Sequence, residues 1–211
     1  MSPIRILGRE YTRAKIGDMP RSNDISVLHA VFREPAEELI RRCEANGLQI
    51  QVYEAGRSPF RQAEIYARGR VQGAPDFGKK VTNARAWESF HCHFLAIDGV
   101  FNVGGRWTWD EPRPGDWKLY TKLCAEVGLR TLSFEKPHAE LPVSLADLRA
   151  GRYPAGGGDA WLEALETAIE QWGRSPRVVS GFEHPGAPPL PSISERPALV
   201  LPDGLPPSPF A

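Results

Sequence analysis

The sequence is short of most features that would fix a function class directly. It has no surplus of either charge, with 26 Lys and Arg against 26 Asp and Glu. A general nucleic-acid binder would carry a basic balance, so that class is excluded. No window approaches the roughly 18 consecutive apolar residues of a membrane span. The opening MSPIRILGREYTRAKIGDMPRSND is broken by charge and proline and lacks the apolar core of a secretory signal. The expectation is synthesis in the cytoplasm without such a signal, so action outside the cell would need another route of release. Cysteine is scarce. Cys43, Cys92 and Cys124 are odd in number, form no CxxC pair and fall in apolar periodic segments, so they read as reduced thiols used as small hydrophobes.

What is present is ordinary for a soluble globular chain of 211 residues: 41% hydrophobic and 25% charged side chains, enough for a sizeable core. Proline is concentrated at the end, with ten of the 20 between 176 and 209. That stretch reads as an extended tail that contributes little to any site. The triplet Gly156, Gly157 and Gly158 marks a second break. After it, Trp161, Leu162, Leu165, Ile169 and Trp172 recur at helical spacing and Gly173 supplies a stop, so an amphipathic helix is expected there.

The segment from about 25 to 142 reads as a compact α+β unit. EPAEELIRRCEANG predicts a helix with Pro35 near its start, and LQIQVYEAG a strand. SPFRQAEIYARGR predicts a helix with Pro59 in its first turn, followed by a polar, Gly-rich loop. FLAIDGVFNVGGRWTW predicts a hairpin turning between Asn102 and Gly105, GDWKLYTKLCAEVGL a helix, and the stretch around Pro137 and His138 a last strand. The expected division is an N-terminal extension (1–27), a main α+β domain (28–142), a helical appendage (143–173) and a Pro-rich tail (174–211).

Chemistry concentrates at two places. His91 and Asp98 lie seven residues apart on a path that enters a strand, and Glu135 precedes His138 by three. Two imidazoles and one carboxylate form a nitrogen and oxygen set that suits a tetrahedral Zn²⁺ with its fourth position left for water. Glu135 would then be free to act as general base on that water. His93, two residues after His91, is a competing ligand, since on a strand it would point the same way.

The ordered set resembles the zinc D-Ala-D-Ala carboxypeptidase and L-alanyl-D-glutamate endopeptidase family, which includes VanY-like enzymes and phage endolysins. Ser89, His91, Ala96 and Asp98 fall in register with its first block, Ser-x-His-x-x-Gly-x-Ala-x-Asp. Glu135, Pro137 and His138 match its second. Gly56, Arg57, Ser58, Gln62 and Tyr66 match an upstream block, and VTNA at 81–84 also looks like the family. The resemblance covers roughly 28–142. It implies a small, mostly antiparallel sheet flanked by helices, of zinc DD-peptidase or Hedgehog-like type, with zinc on His91, Asp98 and His138. It further implies Glu135 as base, Arg57 at the oxyanion, and Ser89, Gln62 and His93 near substrate. An ion pair with Glu54 is the simpler alternative for Arg57, and core packing for Tyr66. One position departs from the pattern: Phe94 stands where the family has glycine, and a benzyl group there would be expected to narrow the groove or force a local shift.

The expected activity is hydrolysis of peptidoglycan stem peptides, as an L-alanyl-D-glutamate endopeptidase of endolysin or phage-tail type. Alternatives are a D-Ala-D-Ala carboxypeptidase and an inactive wall-binding module of the same fold. The expected partners are the stem peptide and, through the tail, subunits of a phage or similar particle. Neither nucleic acid nor a membrane is expected.

Overall fold

The computed structural model describes residues 21–175 and 178–191, together with the backbone of 4–6 and 9–11. In chain order the elements are β1 (Ile4–Ile6), β2 (Arg9–Tyr11), α1 (Ala30–Ala45), β3 (Ile50–Glu54), α2 (Pro59–Ala67), β4 (Ala96–Val103) and β5 (Arg106–Thr108). They continue with α3 (Asp116–Glu126), β6 (Arg130–Leu132), β7 (Glu135–Glu140), α4 (Leu145–Arg149), α5 (Asp159–Gly173), β8 (Val178–Val179) and β9 (Phe182–Glu183). Short 3-10 turns occupy Ile25–Val27 and Phe90–His93. Five strands form one antiparallel sheet in the order β3-β4-β7-β6, with β5 also on β4. The fold is therefore the α+β arrangement read from the sequence. The Pro-rich stretch beyond residue 191 lies outside the described residues.

β4 is buried along most of its length because it lies between β3 and β7 and packs on α3, where Phe101 meets Trp117. It closes its hairpin with β5 through Gly104 and Gly105, both at positive φ, as a two-residue turn of that hand requires. α1 buries Phe32, Ala36, Leu39 and Cys43, one stripe at helical spacing. It starts at Ala30, five residues before Pro35, and is capped by His29, whose ring accepts from Val31 N. Pro35 lies inside the helix and gives up one backbone hydrogen bond. Burial of the stripe on both sides of the proline outweighs that loss. α3 buries Trp117, Tyr120, Leu123 and Cys124, as its periodicity predicts. The three cysteines are buried, and desolvation pushes each thiol up to about 12, so they are inert packing groups.

One continuous core runs from Leu28 to Trp172. α5 joins it directly. Trp161 packs edge-on against His29 (4.4 Å) and Tyr153 (5.2 Å) and donates its indole N–H to the His93 carbonyl, while Trp172 meets Phe60 of α2. The described part of the tail also makes contact. Trp172 donates to the Pro185 carbonyl, Phe182 packs on Tyr66, and the buried His184 accepts from Ala86 N through Nδ1.

Candidate metal centre

Strand register builds the site. Asp98 pairs with Glu54 across β3 and with His138 across β7, which puts the three side chains in one row. A register break between Val52 and Glu54 turns Glu54 into that row. His91 arrives from the 3-10 turn just before β4. That turn is ended by Phe94 in the left-handed conformation (φ 59°, ψ 37°), which reverses the chain into the strand. A left-handed residue is where a family would keep glycine, and holding a non-glycine there costs about 1–2 kcal/mol. The Phe94 ring is buried, and a Cβ on Gly56 would sit 2.2 Å from it. The ring therefore fills the space over Gly56 and does not narrow the cleft. The expectation of an obstructed groove is corrected.

His91, Asp98 and His138 each offer a donor atom within 4.8 Å of the others. Asp98 Oδ1 lies 3.2 Å from both His91 Nε2 and His138 Nδ1. The far nitrogens are held from behind. His91 Nδ1 is 2.8 Å from the Ala55 carbonyl, and His138 Nε2 is 2.9 Å from Glu140 Oε2. In a neutral ring whose proton sits on the nitrogen facing the carbonyl or carboxylate behind it, the other nitrogen, toward Asp98, is left free to coordinate a cation. His91 Nε2 is buried and, although close to Asp98, makes no hydrogen bond. Such an orphaned nitrogen beside a carboxylate and a second imidazole fits a cation lodged between them.

Electrostatics favour a charged carboxylate. Burial alone would raise the Asp98 carboxyl, but the charge of His91 beside it, the hydrogen bond with His138 and the Arg57 guanidinium hold it well below the usual range. Burial would depress His138, but Asp98 and Glu140 outweigh it and raise it to about 9 in the metal-free chain. For Glu140 burial again works upward, and hydrogen bonding and charge from His138 and Arg130 win, lowering it. Arg130 pairs with Glu140 across β6 and β7, 2.6 Å apart, and so closes a chain of contacts ending on His138.

Arg57 is 8% exposed and fully engaged at its tips: Nη1 donates to Gln62, and Nη2 to Glu54 (2.6 Å) and Asp98 (3.1 Å). The ion pair with Glu54 is real, and the same nitrogen also fixes Asp98. Gln62 in turn donates to the Ala84 carbonyl. Gln62 is buried behind Arg57 and does not line the cleft, because its helical turn points it inward. His93 does not line it either. The segment forms a 3-10 turn and not the strand on which the two rings would point the same way, so His93 diverges from His91 into the core. There it meets Tyr153 Oη at 2.8 Å, and burial lowers it to about 4.

The triad opens into a cleft of about 360 Å³ whose walls include Arg57, Thr82, Asn83, Ser89, Phe90 and Glu135. Glu135 is exposed at the head of β7, on the same cleft as His91 and His138. Ser89 flanks the turn as its N-cap. Sequence reasoning missed Glu140 and Arg130. Strand alternation was the signal available, since Glu140 is two residues past His138 and must share its face.

No family model matches the chain. Among curated proteins, the peptidoglycan L-alanyl-D-glutamate endopeptidase CwlK of Bacillus subtilis (strain 168) is 30% identical over 125 residues, spanning 56% of this chain and 71% of that protein. The chain belongs to the CwlK family. Membership of a peptidase family gives the His91, Asp98 and His138 cluster a hydrolytic context. No helix among the described residues is long and apolar enough to cross a membrane.

Proposed function

We propose that this CwlK-family chain is a zinc-dependent peptidase that cuts the stem peptide of peptidoglycan between L-Ala and D-Glu. The observation that carries the reading is the cluster of His91 Nε2, Asp98 Oδ1 and His138 Nδ1, with an orphaned imidazole nitrogen, on a cleft shared with Glu135. His91, Asp98 and His138 would hold the ion, and when bound it would polarise the scissile carbonyl and acidify water. Glu135 takes the proton from the attacking water and returns it to the leaving amine. Arg57 keeps Asp98 oriented and ionised, and its buried positive charge favours the oxyanion as negative charge develops. Its tip nitrogens are already bonded, so this contribution is electrostatic. Glu140 and the Ala55 carbonyl fix the two imidazoles.

The bond assignment rests on CwlK, with cleavage of terminal D-Ala as the rival specificity. A lysis or tail-borne role in a phage-like particle belongs to the same reading. Chelation should abolish hydrolysis of soluble muropeptides, and added zinc should restore it. Glu135→Gln should retain about one zinc per chain and lose about 10²–10⁴-fold in kcat. Metal-free protein that still cleaves, or a Glu135→Gln variant at near wild-type rate, would overturn the mechanism.

A further inference from the structure

Beside the triad cleft lies a second one, of about 590 Å³, and the two share Phe134 and Glu135 in their walls. Its character differs. Trp109, 49% exposed, and Phe134, 81% exposed, present aromatic faces, with Asp110, Glu111 and Lys136 between them. The Trp109 ring is braced edge-on by Tyr53 at 4.7 Å, and Arg21 stacks on Tyr53 at 4.0 Å. The loop behind it is pinned as well, since Trp117 donates its indole N–H to the Trp109 carbonyl and its backbone N–H to Glu111. Trp109 is thus an aromatic face held in place in water, with Phe134 exposed beside it, and large apolar faces in water mark binding surfaces.

We propose that this cleft binds the glycan strand to which the stem peptide is attached. The proposal rests on the reading that peptidoglycan is the substrate. In that polymer L-Ala is the first stem residue and is joined to the sugar, so a scissile L-Ala–D-Glu bond lies only one residue from the glycan. At about 3.5 Å per extended residue, the sugar must sit immediately beside the triad cleft. The second cleft is the neighbour that shares its wall. Its chemistry matches a neutral amphipathic ring: pyranose C–H faces stack on the negative face of an indole or phenyl ring. Hydroxyl and acetamide groups bond to Asp110, Glu111 and Lys136. A site for charged peptide alone would not need two exposed aromatic faces.

The test uses peptide-free glycan strands, titrated calorimetrically into the full-length wild-type chain and into Trp109→Ala and Trp109→Phe. Wild type should bind, Trp109→Ala should bind at least tenfold more weakly, and Trp109→Phe should recover much of the loss. On glycan-linked muropeptide, KM of Trp109→Ala should rise about tenfold with kcat unchanged, whereas cleavage of free stem peptide should not change. Wild type that fails to bind peptide-free glycan, or Trp109→Ala that binds it as tightly as wild type, overturns the proposal. Cleavage of free stem peptide by wild type reads the peptidase assignment separately. Glycan binding without such cleavage would refute the peptidase and still support the glycan site.

Discussion

Glu140 shows how the His91, Asp98 and His138 cluster is braced from behind. His138 Nε2 lies 2.9 Å from Glu140 Oε2, and Arg130 holds that carboxylate from the other side. A carboxylate behind a ligating histidine fixes its ring and raises its basicity. Glu140→Gln should therefore bind zinc about 10–100-fold more weakly with the fold intact, measured by competition with a chelator and by melting temperature. Unchanged affinity would mean that His138 is oriented by Asp98 and packing alone. At the same scale, Phe94 accounts for a departure in the motif. The left-handed backbone is kept at a cost, and a buried phenyl ring, worth about 1.5–3 kcal/mol, offsets it.

At the scale of elements, much was legible. α2, α3, β3, the β4–β5 hairpin and α5 follow from apolar period, caps and turn residues, all of which act within a few neighbours. Legibility ended where tertiary contacts decide. Pro35 reads as a helix start, yet α1 runs through it because its buried stripe continues upstream to Phe32. His91 and His93 look equivalent on a strand, and only the 3-10 turn separates them. The grouping of His91, Asp98 and His138 came from the resemblance of the ordered motifs to a peptidase family, since spacing alone is a weak signal, and the network behind it required register: Glu54 opposite Asp98, Arg130 opposite Glu140. The same local limits apply to α5, whose apolar stripe was evident and whose docking surface was not. Trp161 is 2% exposed and bonded to the His93 carbonyl beside the site. Trp161→Ala should cost about 3–5 kcal/mol, read as a lower denaturant midpoint at unchanged slope. A cost under about 1 kcal/mol would mean that α5 sits on the core without supporting it.

For the whole molecule, the sheet and the turn before it set His91, Asp98 and His138 beside one cleft that Glu135 shares, and the connecting segments wall it. Residues 82–84 and 88–90 form one side. That stretch is tied to α2 through Gln62 and to the C-terminal segment through His184, so elements distant in sequence converge on one groove. A groove of this kind, with an aromatic cleft alongside, suits a polymer with a peptide branch more than a free dipeptide. The central claim is that this groove cuts a specific bond in peptidoglycan, and mass spectrometry of purified muropeptides before and after digestion tests it most directly. The account predicts products with a new N-terminal D-Glu, formed by zinc-loaded wild type and absent with Glu135→Gln. Release of terminal D-Ala alone, or intact muropeptides after prolonged incubation with zinc-loaded protein, would contradict it.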